Sequence, residues 1–204
     1  MRVSDRAWPR RVGAPGCWTL ARLEVGLGDR PTLHGHRLAH DRRRILHVNV
    51  TQRSTSAWTR QQLREASPDD ANARFLLHDC DTTFDAAFGR AVEAFGLTAV
   101  RTAPRSPWQN PYVERVIGSI RRECLDHVIV FNERHLRRVL RTYIAYYQRS
   151  RTHLALGKDA PVERAVQPTG RIAVRREVGG LHTAMNGKPP DRPGFAPAMR
   201  RCWT

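Results

Sequence analysis

The chain has 204 residues and a formal net charge of +16 at pH 7, from 35 Lys and Arg against 19 Asp and Glu. This length is enough for one domain with a sizeable core and extensions. The positive charge predicts a polyanionic partner, and nucleic acid is the default expectation. A ribosomal-type RNA-binding protein and a merely soluble basic surface are the alternatives that composition leaves open.

Hydropathy and cysteine content limit the cellular compartments in which the protein is expected. No apolar stretch is long enough to cross a bilayer and no signal-peptide core is present, so we expect no membrane partner. The cysteines contain no C-x-x-C pair, which predicts no zinc site and suits the reducing conditions of a cytoplasmic protein. They are Cys17, Cys80, Cys124 and Cys202.

The beginning of the chain gives few predicted elements. Residues 1–37 are rich in Arg, Gly and Pro, and only residues 20–27 alternate in polarity. Residues 44–51 are rich in β-branched and apolar side chains, which predicts a strand. Ser54 or Thr55 can then cap a helix with Trp58 on its core face.

The middle of the chain gives a strand, a helix and another strand. Residues 75–77 form a short apolar run that stops just before Asp79, which is typical of a buried strand. Asp85 is the N-cap candidate of the following helix, and Gly96 closes that helix. Residues 97–101 form the next strand, which leads into a Pro-rich loop.

Two more helices follow this loop. The first starts near Tyr112 and carries Glu114 in its first turn. Asn132 can cap the second, which runs from Glu133 to about Gln148. Several arginines of this last helix lie mostly off its apolar stripe, and the pattern favours a solvated basic face over specific DNA contact. They are Arg134, Arg137, Arg138 and Arg141. The alternation of strands and helices predicts an α/β layer architecture.

Two carboxylates sit on rigid predicted elements, Asp79 at a strand end and Glu114 on a helix, with 34 residues between them. A carboxylate at a strand end is an ordinary turn residue, and one in a first helical turn is favoured by the helix dipole. The spacing alone therefore does not show whether these carboxylates form a site, and the surrounding motifs are needed as further evidence.

Those motifs occur in a fixed order along the chain. The first is His78-Asp79-Cys80-Asp81 with Phe84, the second is the loop of residues 106–110 (SPWQN), and the third is Val113-Glu114-Arg115 with Gly118-Ser119 and Arg121-Arg122-Glu123. A closing motif contains Tyr146-Tyr147, Arg151, His153, residues 155–157 and Pro161. Together they resemble the integrase catalytic core of bacterial insertion-sequence transposases, the Asp-Asp-Glu enzymes of the ribonuclease H-like superfamily. The resemblance covers about residues 38–185.

The resemblance implies a fold and a division of the chain. The fold is a ribonuclease H-like mixed β-sheet flanked by helices, with N-terminal strands that are degenerate in sequence. Residues 1–37 are a poorly matched segment, either strongly diverged or affected by a frameshift, and 38–161 form the catalytic core. Residues 162–185 form a short C-terminal β-extension, and 186–204 form a tail expected to be disordered.

The resemblance also implies a metal site. Asp79 corresponds to the second acidic position and Glu114 to the last, and both are expected to be catalytic and to bind Mg²⁺ or Mn²⁺, as a pair of ions in an active enzyme. The first acid should be an Asp on the first strand, but no Asp lies on a clean strand there. Glu24 is the one strand candidate in that region, since Asp29 and Asp41 are predicted turn residues.

Side chains around Glu114 are expected to contact DNA. Arg121, Arg122 and Arg115 follow it on the same helix, and Arg121 can neutralise a phosphate beside the metal site. Trp108, Gln109 and Asn110 precede it, where amides can bond phosphates or base edges. Trp108 has two interpretations that the sequence leaves open, namely stacking on an unpaired base and covering the core.

The implied function is transposition, that is metal-dependent phosphodiester cleavage and strand transfer during DNA integration. Its partners would be the DNA of the element ends and of the target, and the chain could form a homo-oligomer on that DNA. The missing first Asp favours a truncated or inactive enzyme, and the alternative is a catalytically dead basic remnant that only binds nucleic acid. We expect no measurable strand transfer by this chain.

Overall fold

The computed structural model describes residues 17–22, 25–27, 30–39, 42–66, 73–164 and 171–188. Its strands are β1 (Cys17–Arg22), β2 (Val25–Leu27), β3 (Arg30–Ala39), β4 (Arg44–Thr51), β5 (Phe75–His78), β6 (Thr98–Arg101), β7 (Arg171–Glu177) and β8 (His182–Lys188). Its helices are α1 (Ser56–Ala66), α2 (Ala86–Ala94), α3 (Pro111–Glu123) and α4 (Glu133–Arg149). The mixed α/β architecture is the one that the sequence predicts.

The main sheet has β1 near its centre. Strand β3 pairs antiparallel with β1 and β4, and the short β2 folds back on the start of β3. Strand β5 pairs parallel with both β1 and β6. The order across the sheet is therefore β4-β3-β1-β5-β6. The carboxyl ends of the three parallel strands β1, β5 and β6 meet at one edge, which is where the polar site lies.

The N-terminal strands depart from the sequence-based expectation. The polarity pattern predicts one strand over residues 20–27, whereas the structure has β1 at Cys17–Arg22 and a separate β2. The pattern fails because the side chains of residues 17–20 are all buried, as expected for a central strand covered on both faces. A hairpin that the sequence does not indicate thus completes the sheet through β3.

Two apolar clusters cover the two faces of this sheet. Helices α1 and α2 cover one face, where Leu63, Phe88 and Val92 pack with Trp18 of β1. Helices α3 and α4 cover the other face, where Ile120 and Leu140 are fully buried. The β3–β4 pairing skips Leu46 between Leu38↔Ile45 and Arg37↔His47. This bulge lets Ile45, Val48 and Val50 face α4 while His47 faces α1, where its Nε2 lies 2.9 Å from Gln62 Oε1.

The predicted helix caps are confirmed. Asp85 Oδ1 accepts a hydrogen bond of 2.8 Å from Phe88 N, and Asn132 Oδ1 accepts one of 2.8 Å from His135 N. Gly96 has a φ of +71°, a left-handed conformation that glycine adopts without steric cost. These caps fix where α2 and α4 begin, and Gly96 turns the chain from α2 into β6.

A C-terminal hairpin of β7 and β8 packs against the α3–α4 side. His182 Nε2 donates a 2.7 Å hydrogen bond to the carbonyl oxygen of Glu123 and stacks on Tyr146 with ring centroids 4.4 Å apart. Strand β8 continues to Lys188, past the boundary at residue 185 that the sequence predicts. The rest of the expected tail, residues 189–204, lies outside the described residues. Within the described ranges, no helix is both long and apolar enough to cross a membrane.

Candidate active site

Asp79 directly follows β5 at the edge where the parallel strands end. The neighbouring strand β6 ends at the same level, because Thr102 N donates a 2.9 Å hydrogen bond to the carbonyl oxygen of His78. The buried hydroxyl of Thr102 donates a weaker bond of 3.4 Å to Asp79 Oδ1. Thr102 therefore holds the backbone at His78, just before Asp79, and also one carboxylate oxygen of Asp79.

Glu114 lies in the first turn of α3, which begins with Pro111. Proline suits this position, since its nitrogen has no proton to leave unpaired. Glu114 N donates to the carbonyl oxygen of Asn110 at 3.2 Å, so the helical ladder already holds the backbone at the carboxylate. The side chain itself is exposed and can meet a ligand from solvent.

The structure brings these two predicted carboxylates together. Partial desolvation raises the pKa of Glu114, and the negative charge of Asp79 raises it further, while Arg121 lowers it. Desolvation also raises the pKa of Asp79, against the opposing effects of Thr102 and Asn110. Both carboxyls thus hold their charge at a cost that a nearby cation would relieve.

Strand β1 contributes Thr19 to the same side of the sheet. Thr19 is level with Leu77 in the parallel register, so its side chain points to the face on which Asp79 lies two residues later. Its fully buried hydroxyl donates a 3.3 Å hydrogen bond to Asn110 Oδ1. The buried amide of Asn110 in turn lowers the pKa of Asp79. One polar group from β1 therefore joins the two from β5 and α3.

No third acid completes this site in the described part of the chain. Strand β1 reads CWTLAR and has no carboxylate. Glu24, the predicted first ligand, lies outside the described residues, as do Asp29 and Asp41. Among the residues that the structure describes, no group of three or more His, Cys, Asp or Glu side chains is arranged to hold a metal ion.

The loop before α3 divides into exposed and buried parts. Trp108 is 72% exposed, which excludes the interpretation that it covers the core. Gln109 is half-buried, and its Oε1 accepts a 2.7 Å bond from Ala103 N, which ties the loop to the end of β6. Asn110 is only 1% exposed, so its side chain lies inside the site instead of at the surface.

The arginines of α3 differ in their relation to the site. Arg121 acts on Glu114 electrostatically, in agreement with its expected place two turns further along the same face. Arg122 lies over Gly118, where an added Cβ would meet Arg122 Nη1 at 3.0 Å. Arg115 is exposed on the adjoining face. Gly118 thus makes room for a side chain of its own helix.

The sequence does not mark two supporting residues, Thr102 and Thr19, and it marks a third, His78, only as part of a motif. Thr102 and Thr19 lie on neighbouring strands and become neighbours of the site only through the sheet register. His78 is buried against Phe84 and Phe88, and its Nδ1 donates a 3.0 Å bond to the carbonyl oxygen of Asp79. Desolvation lowers the pKa of His78, which keeps the ring neutral. The parallel strand order could have indicated Thr102, since it follows β6 as Asp79 follows β5.

Part of the chain is similar to a known family. Residues 95–161, which include Glu114 and the closing motif, match the family of integrase core domains. The matched stretch is about a third of the chain and does not reach Asp79. None of the curated proteins matches the chain in sequence.

Solved structures give the wider comparison. The catalytic core domain of BIV integrase is 13% identical, with a TM-score of 0.56 over 72% of this chain and 91% of its own. The HTLV-2 integrase catalytic core domain, solved in complex with magnesium in a dimeric form, is 11% identical, with a TM-score of 0.56 over 75% of this chain and 98% of its own. The catalytic domain of Mos1 transposase, solved with Raltegravir and Mn, is 13% identical, with a TM-score of 0.56 over 71% of this chain and 84% of its own.

These similarities establish the fold as that of integrase and transposase catalytic cores, of the ribonuclease H-like kind. With the family match to residues 95–161, they support a catalytic-core role in DNA integration or transposition. Two of the compared cores were solved with magnesium or manganese, which is consistent with the use of a divalent metal by proteins of this fold.

Proposed function

We propose that this chain is a DNA-binding core of DNA integration or transposition whose site binds a divalent cation through Asp79 and Glu114. The observation that carries the proposal is the convergence of these two carboxylates at the carboxyl edge of the sheet, where the charge of Asp79 raises the pKa of Glu114. Two carboxylates that repel each other would be stabilised by a cation between them. Mg²⁺ and Mn²⁺ suit such a site because both prefer oxygen ligands.

The bound cation would neutralise charge on a phosphate during in-line displacement, and this is the chemistry that the protein itself lacks. The side chains present have more limited roles. Thr102 holds one oxygen of Asp79, so that the other oxygen stays available. The buried side chain of Asn110 lowers the pKa of Asp79 through hydrogen bonding, so it stabilises the charged form of that carboxylate. Arg121 balances the negative charge around Glu114.

We propose further that strand transfer by this chain is below detection. Strand transfer by two ions needs a carboxylate that bridges them, and the position on β1 that bonds to Asn110 carries Thr19. A hydroxyl is neutral and a poor substitute for a bridging carboxylate. The chain then acts as a DNA-binding form. This agrees with the expected alternative function, a basic remnant without catalysis.

A two-step assay tests the proposal. Binding of Mn²⁺ is measured by calorimetry for the wild-type chain, Asp79→Asn and Glu114→Gln, and we expect each substitution to abolish it. Nicking of supercoiled plasmid and joining of a 3′-hydroxyl oligonucleotide are then assayed with Mg²⁺ and Mn²⁺, where no product is expected. Activity lost in Glu24→Gln would contradict the missing-acid argument and make Glu24 the third ligand. Mn²⁺ binding unchanged in both site variants would contradict the metal site itself.

Dimer formation on DNA is the second part of the proposed assembly. The HTLV-2 core was solved in a dimeric form, and this chain shares its fold. Light scattering of the chain with and without a duplex of about 30 base pairs gives the number of copies per DNA. A single copy at all protein concentrations would exclude the homo-oligomer.

A further inference from the structure

The outer face of α4 carries a stripe of arginines that the carboxylate site does not use. Arg134, Arg138 and Arg141 are all exposed, and their spacing of four and three residues places them on one side of the helix. The buried residues Leu136, Leu140, Tyr143 and Tyr147 occupy the opposite side. We call the three exposed residues the arginine stripe.

The described part of the chain does not compensate the charge of this face. Helix α4 contains five arginines and a single acid, Glu133, which pairs with Arg137 at 2.6 Å. Arg137 also donates a 2.7 Å bond to the carbonyl oxygen of Val50, so it serves the packing of α4 on β4. The arginine stripe has no acidic partner within the described parts of the chain.

The surface at the stripe is concave. A cavity of about 670 Å³ is lined by the stripe together with Phe131, Asn132, His135 and Arg137. A second cavity of about 400 Å³ continues along the edge strand β4 and shares Arg137 and Arg141. Unpaired like charges that line a groove repel one another, and this cost persists unless an anion enters the groove.

The dimensions of the stripe suit a polyphosphate chain. Residues 134 and 141 are seven positions apart, which is about 10 Å along a helix at 1.5 Å per residue. One DNA strand advances about 3.4 Å along its axis per phosphate, so the length of the stripe corresponds to about three phosphate steps of one strand. Guanidinium groups are also suited to phosphate, because they donate paired hydrogen bonds in a fixed fork.

We propose that the arginine stripe is a second DNA-binding surface, which holds the phosphate backbone of duplex DNA apart from the carboxylate site. This inference deepens the proposed function and rests on DNA being the ligand. It revises the sequence-based preference for a solvated face, because the structure adds the groove and the missing acidic partners. The contacts are to the backbone, so the surface binds without regard to base sequence.

The test compares two triple variants of equal charge. Arg134→Gln/Arg138→Gln/Arg141→Gln removes the stripe, and Arg64→Gln/Arg74→Gln/Arg90→Gln removes three exposed arginines elsewhere. Affinity for a random-sequence duplex is measured at several salt concentrations in EDTA, so that no divalent cation takes part. Loss of three phosphate contacts should lower the salt slope by about 2.7 in the stripe variant, against little change in the control. Circular dichroism checks that both variants are folded.

The outcomes separate the surface from the carboxylate site. Equal salt slopes in the two variants would overturn the inference, and so would binding without salt dependence in the wild-type chain. A stripe-specific loss in EDTA would support it even if Mn²⁺ binding by Asp79 and Glu114 fails, because the two measurements share no ligand. Binding to an acidic polypeptide such as polyglutamate with the same stripe dependence and equal affinity would also overturn the assignment to DNA.

Discussion

Thr19 and Asn110 are joined by a 3.3 Å hydrogen bond that links β1 to the start of α3, next to Asp79. Under the proposed function a third charged oxygen ligand is expected on β1, and Thr19 has a neutral hydroxyl there. This position is testable, because Asp differs little from Thr in size and brings the missing carboxylate. The same replacement puts a charge at a site that is fully buried.

We therefore expect Thr19→Asp to make the fold dependent on a divalent cation. Without metal, the buried charge should cost about 3 kcal/mol of unfolding free energy. Added Mn²⁺ should restore the melting temperature by binding the folded chain only. Thermal unfolding in EDTA and in millimolar Mn²⁺ measures both effects.

The matched control is Thr19→Asn, which changes shape in the same way without adding charge. Its melting temperature should not respond to Mn²⁺ beyond the wild-type response. If Thr19→Asp loses stability and Mn²⁺ does not restore it, the side chain at position 19 does not face the cation.

Asp79→Asn should stabilise the metal-free chain. Desolvation raises the pKa of Asp79 in the folded state, so the ionised carboxylate opposes folding at neutral pH. A carboxyl with a raised folded pKa supports stability below its unfolded pKa and loses that support as the pH rises through the folded pKa. We expect a gain of about 0.5–1 kcal/mol at pH 7, a range common for substitutions that relieve a strained site.

Urea unfolding in EDTA at pH 7 and pH 3.5 measures this effect. The gain should be absent at pH 3.5, where the wild-type carboxyl is also protonated. A destabilisation of equal size at both pH values would show that Asp79 is held for packing and not as a charged ligand.

Glu123, at the end of α3, is a carboxylate whose pKa is lowered, in contrast to that of Asp79. Desolvation raises the pKa of Glu123, but hydrogen bonds from Arg151 and Tyr143 lower it by more, with distances of 2.6–2.8 Å. Glu123→Gln should therefore destabilise the chain at neutral pH, by about 2–3 kcal/mol, because Arg151 loses its partner in a half-buried setting.

The exposed pair of Glu133 and Arg137 provides the control for this prediction. Glu133→Gln should cost less than about 0.5 kcal/mol, as is usual for a helical surface pair. The stability that Glu123 provides is lost as the pH falls through its lowered folded pKa. Equal costs for the two substitutions in urea unfolding would contradict the proposed role of the Glu123–Arg151 pair.

His153 should make the chain sensitive to mild acid. Desolvation, with the nearby charges of Arg151 and Arg43, lowers the pKa of this buried ring from 6.5 to about 4. Below pH 6.5 His153 is protonated in the unfolded chain but stays neutral in the folded chain. The free energy of unfolding therefore falls as the pH is lowered from 6.5 to 4. The loss should be about 2–3 kcal/mol.

Replacement by a residue that does not titrate isolates this contribution. The fall in stability between pH 6.5 and 4.5 should be smaller in His153→Gln than in the wild type, whatever its stability at pH 7. His127 is exposed, and His127→Gln provides the same substitution outside the buried setting for comparison. A profile that is the same for His153→Gln and the wild type would exclude His153 as the acid-sensitive group.

The sequence predicts the site residues that local signals mark, and it does not predict those that reach the site through strand pairing. Asp79, Asp85, Glu114 and Asn132 are defined by local signals, namely strand ends and helix caps, and their elements have the predicted type. Thr19 and Thr102 reach the site only through pairing with β5, so no local pattern marks them. Strand β1 escapes prediction because burial on both sides removes the alternation of polarity.

The loop before α3 shows that the sequence also does not predict which side chains are exposed. From the sequence alone, Trp108 and Asn110 are both expected to contact DNA beside Glu114. Only the fold separates them, since Trp108 projects from a short turn while Asn110 ends it inside the site. Exposure, which depends on the whole sheet, therefore decides which of these side chains can meet DNA.

Trp108 should bind DNA ends through stacking. Its ring is 72% exposed, so Trp108→Ala should leave the melting temperature almost unchanged. An aromatic side chain that stacks on an unpaired base contributes about 1–3 kcal/mol to binding. We expect Trp108→Ala to lose about that much affinity for a duplex with a single-stranded overhang, and little for a blunt duplex. Fluorescence anisotropy of labelled duplexes measures both, and Phe95→Ala, which removes another exposed aromatic ring outside the arginine-stripe cavity, is the control. Equal losses on overhang and blunt DNA would show that Trp108 contacts the backbone and not a base.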